Sequence, residues 1–394
     1  MTSDASSVRH WRLPILGLAL TLVALGWTVL LGYLVHLADT LDITDFQVYR
    51  EAVGFWLGGG DLYQYLMVLP DGRRLPFTYP PFAAIAMVPT TWLPLATGWL
   101  TSAVVQLGCL LAMAVVVARR TGLPAGLGRP EAITLVAAGW LGLAASEPAL
   151  HGISLGQVSL ILVTAVVLDT VVVPPRWRGV LTGVAAAIKL TPGIFLLYFL
   201  LTRQWRAAAN AAIAGAVATA IGFAVLPGPS WRYWTSLLFE TSRVGEPDVT
   251  RNKSLLGLLA HLGIAGPGRT ALWLVLAAAV AGIGLWRARR RCGEGAALAA
   301  VITVGLVSTV ISPVSWPHHL VWLPLAGLYL AFCAGWRRWL GVAILLGFLA
   351  GTPLLSYRSD LPPGLAIAGD VVAVVLLIGS LAGVPGRRGG EVDR

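Results

Sequence analysis

Runs of apolar residues, broken by short arginine-bearing segments, recur along almost the whole chain. They cover residues 13–37, 97–118, 131–147, 153–173, 206–226, 270–287, 296–313, 318–334, 338–355 and 363–384. A helix needs about 20 apolar residues to cross a bilayer, so each run predicts a span, with 131–147 on the short side. One further apolar stretch, 178–202, is interrupted by Lys189-Leu-Thr-Pro192. Proline removes a backbone donor and breaks a helix, so this stretch predicts two short helices forming a hairpin. The total is about twelve membrane-embedded helical segments. The first run exceeds the about 7–15-residue core of a signal peptide, and no small-x-small cleavage pattern follows, so it reads as a span.

Two stretches between the spans are longer and more polar, about 38–96 and 227–269. In the first, Thr44-x-x-Gln47 has the form of a capping box. Phe46, Tyr49, Val53, Trp56 and Leu57 then recur at helical spacing, opposite Gln47, Arg50 and Glu51, and Gly58-Gly59-Gly60 follows. This predicts an amphipathic helix on a membrane surface. In the second, Trp231, Trp234, Leu237 and Leu238 predict a similar interfacial helix.

Composition agrees with this class. Of the 394 residues, 57% are hydrophobic and only 12% charged, with mean hydropathy +0.78. A soluble protein carries about 25% charged residues, and a disordered one far fewer apolar ones, so both are excluded. The expected fold is an all-α polytopic membrane protein, one domain over residues 1–394. The net charge of +10 would suit nucleic acid, but the basic residues form no continuous patch, so no nucleic-acid partner is expected. Cys109, Cys292 and Cys333 fit neither a metal motif nor a disulfide framework.

Charge sets the orientation instead. The short loops bearing Arg9/Arg12, Arg119/Arg120/Arg129, Arg176/Arg178, Arg203/Arg206, Arg287–Arg291, Arg337/Arg338 and Arg387/Arg388/Arg394 fall on one side only if 178–202 returns to the side it left. The positive-inside rule makes that side cytoplasmic, with both termini on it. The two long loops are then outside. So are both lysines, Lys189 and Lys253, in a chain whose other basic residues are all arginine.

The outer polar residues are few, and each admits two readings. Lys189 at the hairpin tip suits a functional cation, or a lysine snorkelling to the interface. Asp45 suits a general base, or a first-turn residue favoured by the helix dipole, with Asp39 and Asp42 as competitors. His318-His319 follow Ser312-Pro-Val-Ser-Trp-Pro317. They suit a cavity-facing donor to an oxyanion, or interfacial polar residues; adjacent positions do not suit a metal pair. Arg251-Asn252-Lys253 suit a phosphate, or a solvated loop. Phe77-Thr-Tyr79-Pro80-Pro81-Phe82 suits a membrane-interface aromatic belt. Gln157, after Gly156, suits a cavity lining or a bond to a neighbouring helix. Glu147, His151 and Asp370 are further polar residues near span ends. No Walker loop is present, so no ATP-driven function is indicated.

Taken in order, several of these motifs resemble one known group. Asp45-Phe-Gln-Val-Tyr49, Phe77-Thr-Tyr-Pro-Pro81, Gly156-Gln157, Lys189-Leu-Thr-Pro192, Asn252-Lys-Ser-Leu255 and Ser312-Pro-Val-Ser-Trp-Pro-His-His319 resemble the bacterial GT-C glycosyltransferases that use polyprenyl-phosphate-mannose. Within them the chain is similar to the actinobacterial α-(1→2)-mannosyltransferases of the phosphatidylinositol-mannoside type. The family's Asn-Gln-Ser stands here as Asn252-Lys253-Ser254.

The resemblance implies a GT-C fold and a polyprenyl-linked sugar donor. It implies a lipid-anchored glycan acceptor at the outer face of the plasma membrane; a displacement on such a donor requires no cofactor or metal. It further implies Asp45 as general base and an active site that includes His318 and His319. Lys189, Arg251, Asn252, Lys253, Gln157, Tyr49 and Tyr79 are then expected to bind the donor phosphate or substrate. The competing function is a transporter or flippase of a polyprenyl-linked sugar. It would show inverted repeats and midplane charges, whereas these polar residues sit at outer span ends.

Overall fold

The computed structural model describes residues 16–32, 43–70, 72–122, 128–240, 243 and 251–349. Arg9, Arg12, Asp39, Asp42, Asp370, the expected span 363–384 and the last three arginines lie outside the described residues. Among the described residues the regular elements are helices, apart from one two-stranded hairpin, β1 (Leu66–Val68) paired antiparallel with β2 (Arg74–Pro76).

Three helices are long and apolar enough to cross a bilayer alone: α4 (Leu95–Thr121), α10 (Trp205–Val225) and α13 (Gly266–Gly293). At 1.5 Å per residue the shortest of them reaches about 32 Å, enough for a hydrocarbon layer of about 30 Å. Shorter helices fill the interior. α14 (Ala297–Ile311) and α15 (Trp322–Ala331) are apolar on every side and almost wholly buried, as such helices must be. α13 packs on α14 and leaves Leu274, Val275 and Ile283 exposed. α1 (Leu16–Gly32), α5 (Arg129–Ala144) and α16 (Trp336–Gly347) occupy other predicted runs.

The 153–173 run is not one straight span. It is α6 (Glu147–Leu155) and α7 (Ser159–Val171), bent by 118°. Gly156 closes α6 at φ +67°, a left-handed conformation that glycine takes freely. A Cβ there would lie 2.5 Å from Cβ of Phe46, so the break also lets the first outer helix pack closely. The 318–334 run likewise begins with a 3-10 turn, Pro317–His319, before α15 starts.

The 178–202 stretch forms α8 (Val180–Ile188) and α9 (Ile194–Leu201), separated at Lys189–Gly193. Arg178 Nη1 donates to Gln204 Oε1 at 3.2 Å, so the ends of the two helices far from Lys189 meet again at the base of the hairpin. α8 packs tightly on α10: a Cβ on Gly183 would sit 2.2 Å from the Ala211 carbonyl oxygen. Small residues that let helix backbones approach are a usual means of association inside a bilayer.

The first long loop folds as α2 (Thr44–Leu57), the hairpin and α3 (Pro81–Met87). Two expectations for α2 are corrected. The capping box does not form: Ile43 is the N-cap, no side chain caps the helix, and Gln47 donates to Glu51 Oε1 at 2.7 Å instead. The apolar face does not lie on a membrane surface either. Phe46, Val48, Tyr49, Ala52 and Val53 are buried against Phe77, Tyr79, α3 and Trp99. Helical periodicity shows that a face must be covered, not by what. The second loop begins with α11 (Pro227–Thr235), where Trp231 stays exposed while Tyr233 stacks on Tyr63.

Candidate active site

Asp45 sits in the first turn of α2, where the helix dipole favours its negative charge. Its carboxylate accepts a hydrogen bond from Nε2 of Gln157, which lies in the α6–α7 break. The other end of the same amide, Oε1, accepts from the Tyr79 hydroxyl at 2.9 Å. The Tyr49 hydroxyl is 2.9 Å from that of Tyr79, and the Tyr63 hydroxyl donates to the Tyr79 carbonyl at 2.8 Å. Burial pushes the Tyr49 and Tyr79 phenols up, so both stay protonated as donors. The chain Tyr49–Tyr79–Gln157–Asp45 thus has one direction, with every donor pointing towards the carboxylate.

Tyr79 also touches the cationic half of the site. Nζ of Lys189 lies 5.3 Å from its ring centroid, in cation–π range. The same Nζ donates to Ser159 Oγ at 3.2 Å and approaches His319 Nε2 at 3.0 Å. His319 Nδ1 accepts from the Trp316 backbone amide at 3.2 Å, which ties the ring to the turn before α15. His318 is buried, and neither of its ring nitrogens has a hydrogen-bond partner among the described residues. Its ring centroid is 5.5 Å from that of His151 and 4.5 Å from that of His319. The two adjacent histidines therefore face different neighbours, as their spacing predicts.

Below Lys189 a cavity opens between α7, α9, α14 and α15. Ser159, Thr191, Ser308, Ser312 and His319 give it a polar side. Leu162, Val166, Phe195 and Trp322 give it an apolar one, where the Phe195 and Trp322 rings stack at 5.8 Å. A cavity with an ammonium at one end and hydrocarbon at the other suits an amphiphile carrying an anionic headgroup.

The remaining predicted residues have different surroundings. Asn252 is buried and its amide is engaged on both sides: Nδ2 donates to the Pro313 carbonyl at 3.0 Å, and Oδ1 accepts from the Ser254 and Ser315 amides at 3.1 and 2.9 Å. It pins the segment that leads into His318-His319. Lys253 is buried, with its backbone amide donating to the Ser315 carbonyl at 2.8 Å. Arg251 lies close enough to His151 to act on its charge. Tyr49 and Tyr79 offer position, because their hydroxyls are already engaged. Ser159 was not singled out from sequence. The signal was available: a residue three after a helix-ending glycine is a natural first-turn position of the next helix.

The Gln157 link makes a test. Replacing Gln157 by Leu removes the donor to Asp45 and leaves the Tyr79 hydroxyl without an acceptor. Positioning groups of this kind affect rate more than binding. Gln157→Leu should lower kcat by roughly 10–100-fold with little change in the KM for donor. Unchanged kcat in a folded Gln157→Leu protein would show that the amide does not position the carboxylate.

The sequence profile of glycosyltransferase family 87 matches residues 77–313, which hold Tyr79, Gln157, Lys189 and Asn252. The chain belongs to glycosyltransferase family 87. Two family 87 relatives are named polyprenol-phosphate-mannose-dependent α-(1-2)-phosphatidylinositol mannoside mannosyltransferase. The one from Mycobacterium tuberculosis is 36% identical over 377 residues, covering 90% of this chain and 87% of its own. The one from Mycolicibacterium smegmatis is also 36% identical, over 298 residues, covering 71% of this chain and 67% of its own. A third, the Mycolicibacterium smegmatis phosphatidylinositol pentamannoside mannosyltransferase, is 34% identical over 379 residues, covering 89% and 85%. No solved structure matches the chain. The expected family resemblance is therefore borne out, and Asp45, which lies before the matched profile, falls within the stretch shared with family 87 relatives only by virtue of the longer pairwise match.

Proposed function

We propose that this family 87 protein transfers a mannosyl residue from polyprenyl-phosphate-mannose to a lipid-anchored glycan acceptor of the phosphatidylinositol-mannoside type, forming an α-(1→2) linkage with inversion. The observation that carries the reading is the pairing of a held carboxylate and an ammonium around one tyrosine. Asp45 is reached through the Tyr79 hydroxyl and Gln157, and Lys189 lies over the Tyr79 ring. The relatives' names support transfer rather than transport as the use of such a site.

The chemistry follows from charge. The donor's leaving group is a phosphate monoester, which needs neutralisation more than a proton. The Lys189 ammonium supplies it, with the Ser159 hydroxyl and the His318–His319 turn completing the polar wall. The sugar carbon gains oxocarbenium character as the phosphate departs. Asp45 takes the proton of the acceptor hydroxyl that attacks from the opposite face. One displacement inverts the centre, so a β-linked donor gives an α-glycoside and polyprenyl phosphate. Arg251 and Lys253 add positive charge near the headgroup.

In this reading about twelve segments lie in the plasma membrane, both termini are cytoplasmic, and the site opens on the outer face. The placement of polar groups supports it. α7 carries Ser159 of the site at one end and Val171 at the other, where the Val171 carbonyl accepts from Arg120. The arginine-rich turns therefore lie at the end away from Asp45, as the positive-inside rule requires of an outward-facing site.

The test offers purified protein in liposomes either polyprenyl-phosphate-mannose or a nucleotide-linked mannose, with a phosphatidylinositol mannoside acceptor. Mannosylated glycolipid should form only from the lipid-linked donor. Transfer from the nucleotide sugar would overturn the donor class, and donor movement between leaflets without any glycolipid would favour a flippase.

A further inference from the structure

Two turns meet at the end of the bundle away from Asp45. The turn after α7 carries Arg176, Trp177 and Arg178; the turn between α9 and α10 carries Arg203, Gln204, Trp205 and Arg206. They form one surface. Besides the bond from Arg178 to Gln204, Asn210 Nδ2 donates to the carbonyls of Arg176 and Arg178 at 3.0 and 2.8 Å.

Three independent features distinguish this surface. First, its four arginines have no carboxylate partner: among the described residues the ion pair recorded is Arg232 with Asp61, elsewhere. The acid on the adjoining helix, Asp169, is fully buried, and its Oδ2 accepts from the Gly179 amide and from the amide and hydroxyl of Thr182. Nε of Arg178 is buried without a hydrogen-bond partner among the described residues. Second, Arg203 has φ +59°, and it is the non-glycine residue with positive φ among the described residues. Glycine would take this conformation freely, whereas an L-residue is strained in it. Strain kept at an exposed arginine points to a use for its side chain. Third, the indoles beside these arginines are open, Trp177 at 60% and Trp205 at 62% exposure.

We propose that this corner binds the headgroup of an anionic glycerophospholipid. A phosphodiester accepts paired hydrogen bonds from guanidinium forks. Tryptophan settles at the level of lipid headgroups, and the exposed Ile213 and Val217 further along α10 offer hydrocarbon to the acyl chains. The site is separate from the transfer chemistry and holds whichever donor and acceptor are used. Its effect is to anchor the base of the α8–α9 hairpin, whose tip carries Lys189.

The experiment measures lipid retained by the full chain after purification in a neutral detergent, using native mass spectrometry with phosphatidylglycerol and phosphatidylcholine supplied equally. One arginine at a charged surface gives roughly fivefold preference. Phosphatidylglycerol should be retained at least about fivefold over phosphatidylcholine, and the Arg178→Gln/Arg203→Gly double variant should lose that preference. Glycine at 203 relieves the strained backbone, so the variant should melt no lower than wild type in neutral detergent. If it fails to fold, Arg176→Gln/Arg206→Gln is read in the same way. Equal retention of the two lipids by wild type, or undiminished preference in a folded variant, would overturn the proposal. Equal protection from melting by inorganic phosphate alone would overturn the lipid assignment.

Discussion

Asp45→Asn is expected to abolish mannosyl transfer while leaving the protein folded and inserted. The side chains are isosteric, and an asparagine oxygen still accepts the hydrogen bond from Gln157 Nε2 that holds the native carboxylate. The first-turn placement in α2 also survives. What disappears is the capacity to take a proton. General bases contribute about 10²–10⁴-fold, and an acceptor hydroxyl has no other carboxylate in the described network. The nearest acid along α2, Glu51, accepts hydrogen bonds from Gln47 and Tyr65. The loss should therefore fall on kcat, by at least about 10²-fold, with donor still bound. Tm of the purified variant should stay near that of wild type. Transfer within a few-fold of wild type would remove Asp45 from the base role.

Lys189→Met is expected to be nearly as damaging, but in donor use. Methionine keeps the length and the apolar stem of lysine while removing the ammonium that faces Ser159, His319 and the Tyr79 ring. The developing charge on the departing phosphate then loses its preorganised partner. Losing such a group in a water-poor site costs about 10²–10³-fold in rate. KM for polyprenyl-phosphate-mannose should rise, and inhibition by polyprenyl phosphate should weaken, while KM for the acceptor stays unchanged. A variant with normal donor kinetics would place the phosphate elsewhere, with Arg251 and Lys253 the remaining cations. The two variants separate the halves of the site: one removes the base and keeps the donor, the other does the reverse.

Much of the helical fold was legible because bilayer length and hydropathy are averages over about 20 residues. The runs 97–118, 206–226 and 270–287 match α4, α10 and α13 to within six residues at every end. Lys189-Leu-Thr-Pro192 was visible as a break because proline is an unambiguous signal. The break at Gly156 was not, because one left-handed glycine hardly changes the hydropathy of the run around it. That omission hid the most consequential contact. Gln157 reaches Asp45 across 112 positions of sequence, and no local pattern encodes such a pairing. The face of α2 was read correctly as apolar, yet its partner was the protein's own interior. The hairpin at Leu66–Pro76 was too short to carry a period-two signal.

The candidate residues divide in the same physical way. Asp45, Lys189 and His319 were legible because charged or ionisable groups are rare in so apolar a chain, so each one demands a reason. The roles of Asp45 and His319 came from the family resemblance, since capping or an interfacial placement explained them almost as well, whereas the hairpin tip already favoured a functional cation over snorkelling for Lys189. Asn252 shows the limit of composition: beside Arg251 and Lys253 it suggested a phosphate loop, while its amide holds the Pro313–Ser315 segment in place. Tyr49 and Tyr79, expected to meet substrate, have their hydroxyls in the hydrogen-bonded chain that leads through Gln157 to the carboxylate.

The central claim is a single displacement on a lipid-linked sugar with Asp45 as the only base. It is tested most directly by the anomeric configuration and linkage of the product made by purified wild-type protein from a β-linked polyprenyl-phosphate-mannose and a phosphatidylinositol mannoside acceptor. The account predicts an α-(1→2)-linked mannose, with one polyprenyl phosphate released per sugar transferred. A β-linked product, or free mannose in place of glycolipid, would contradict it.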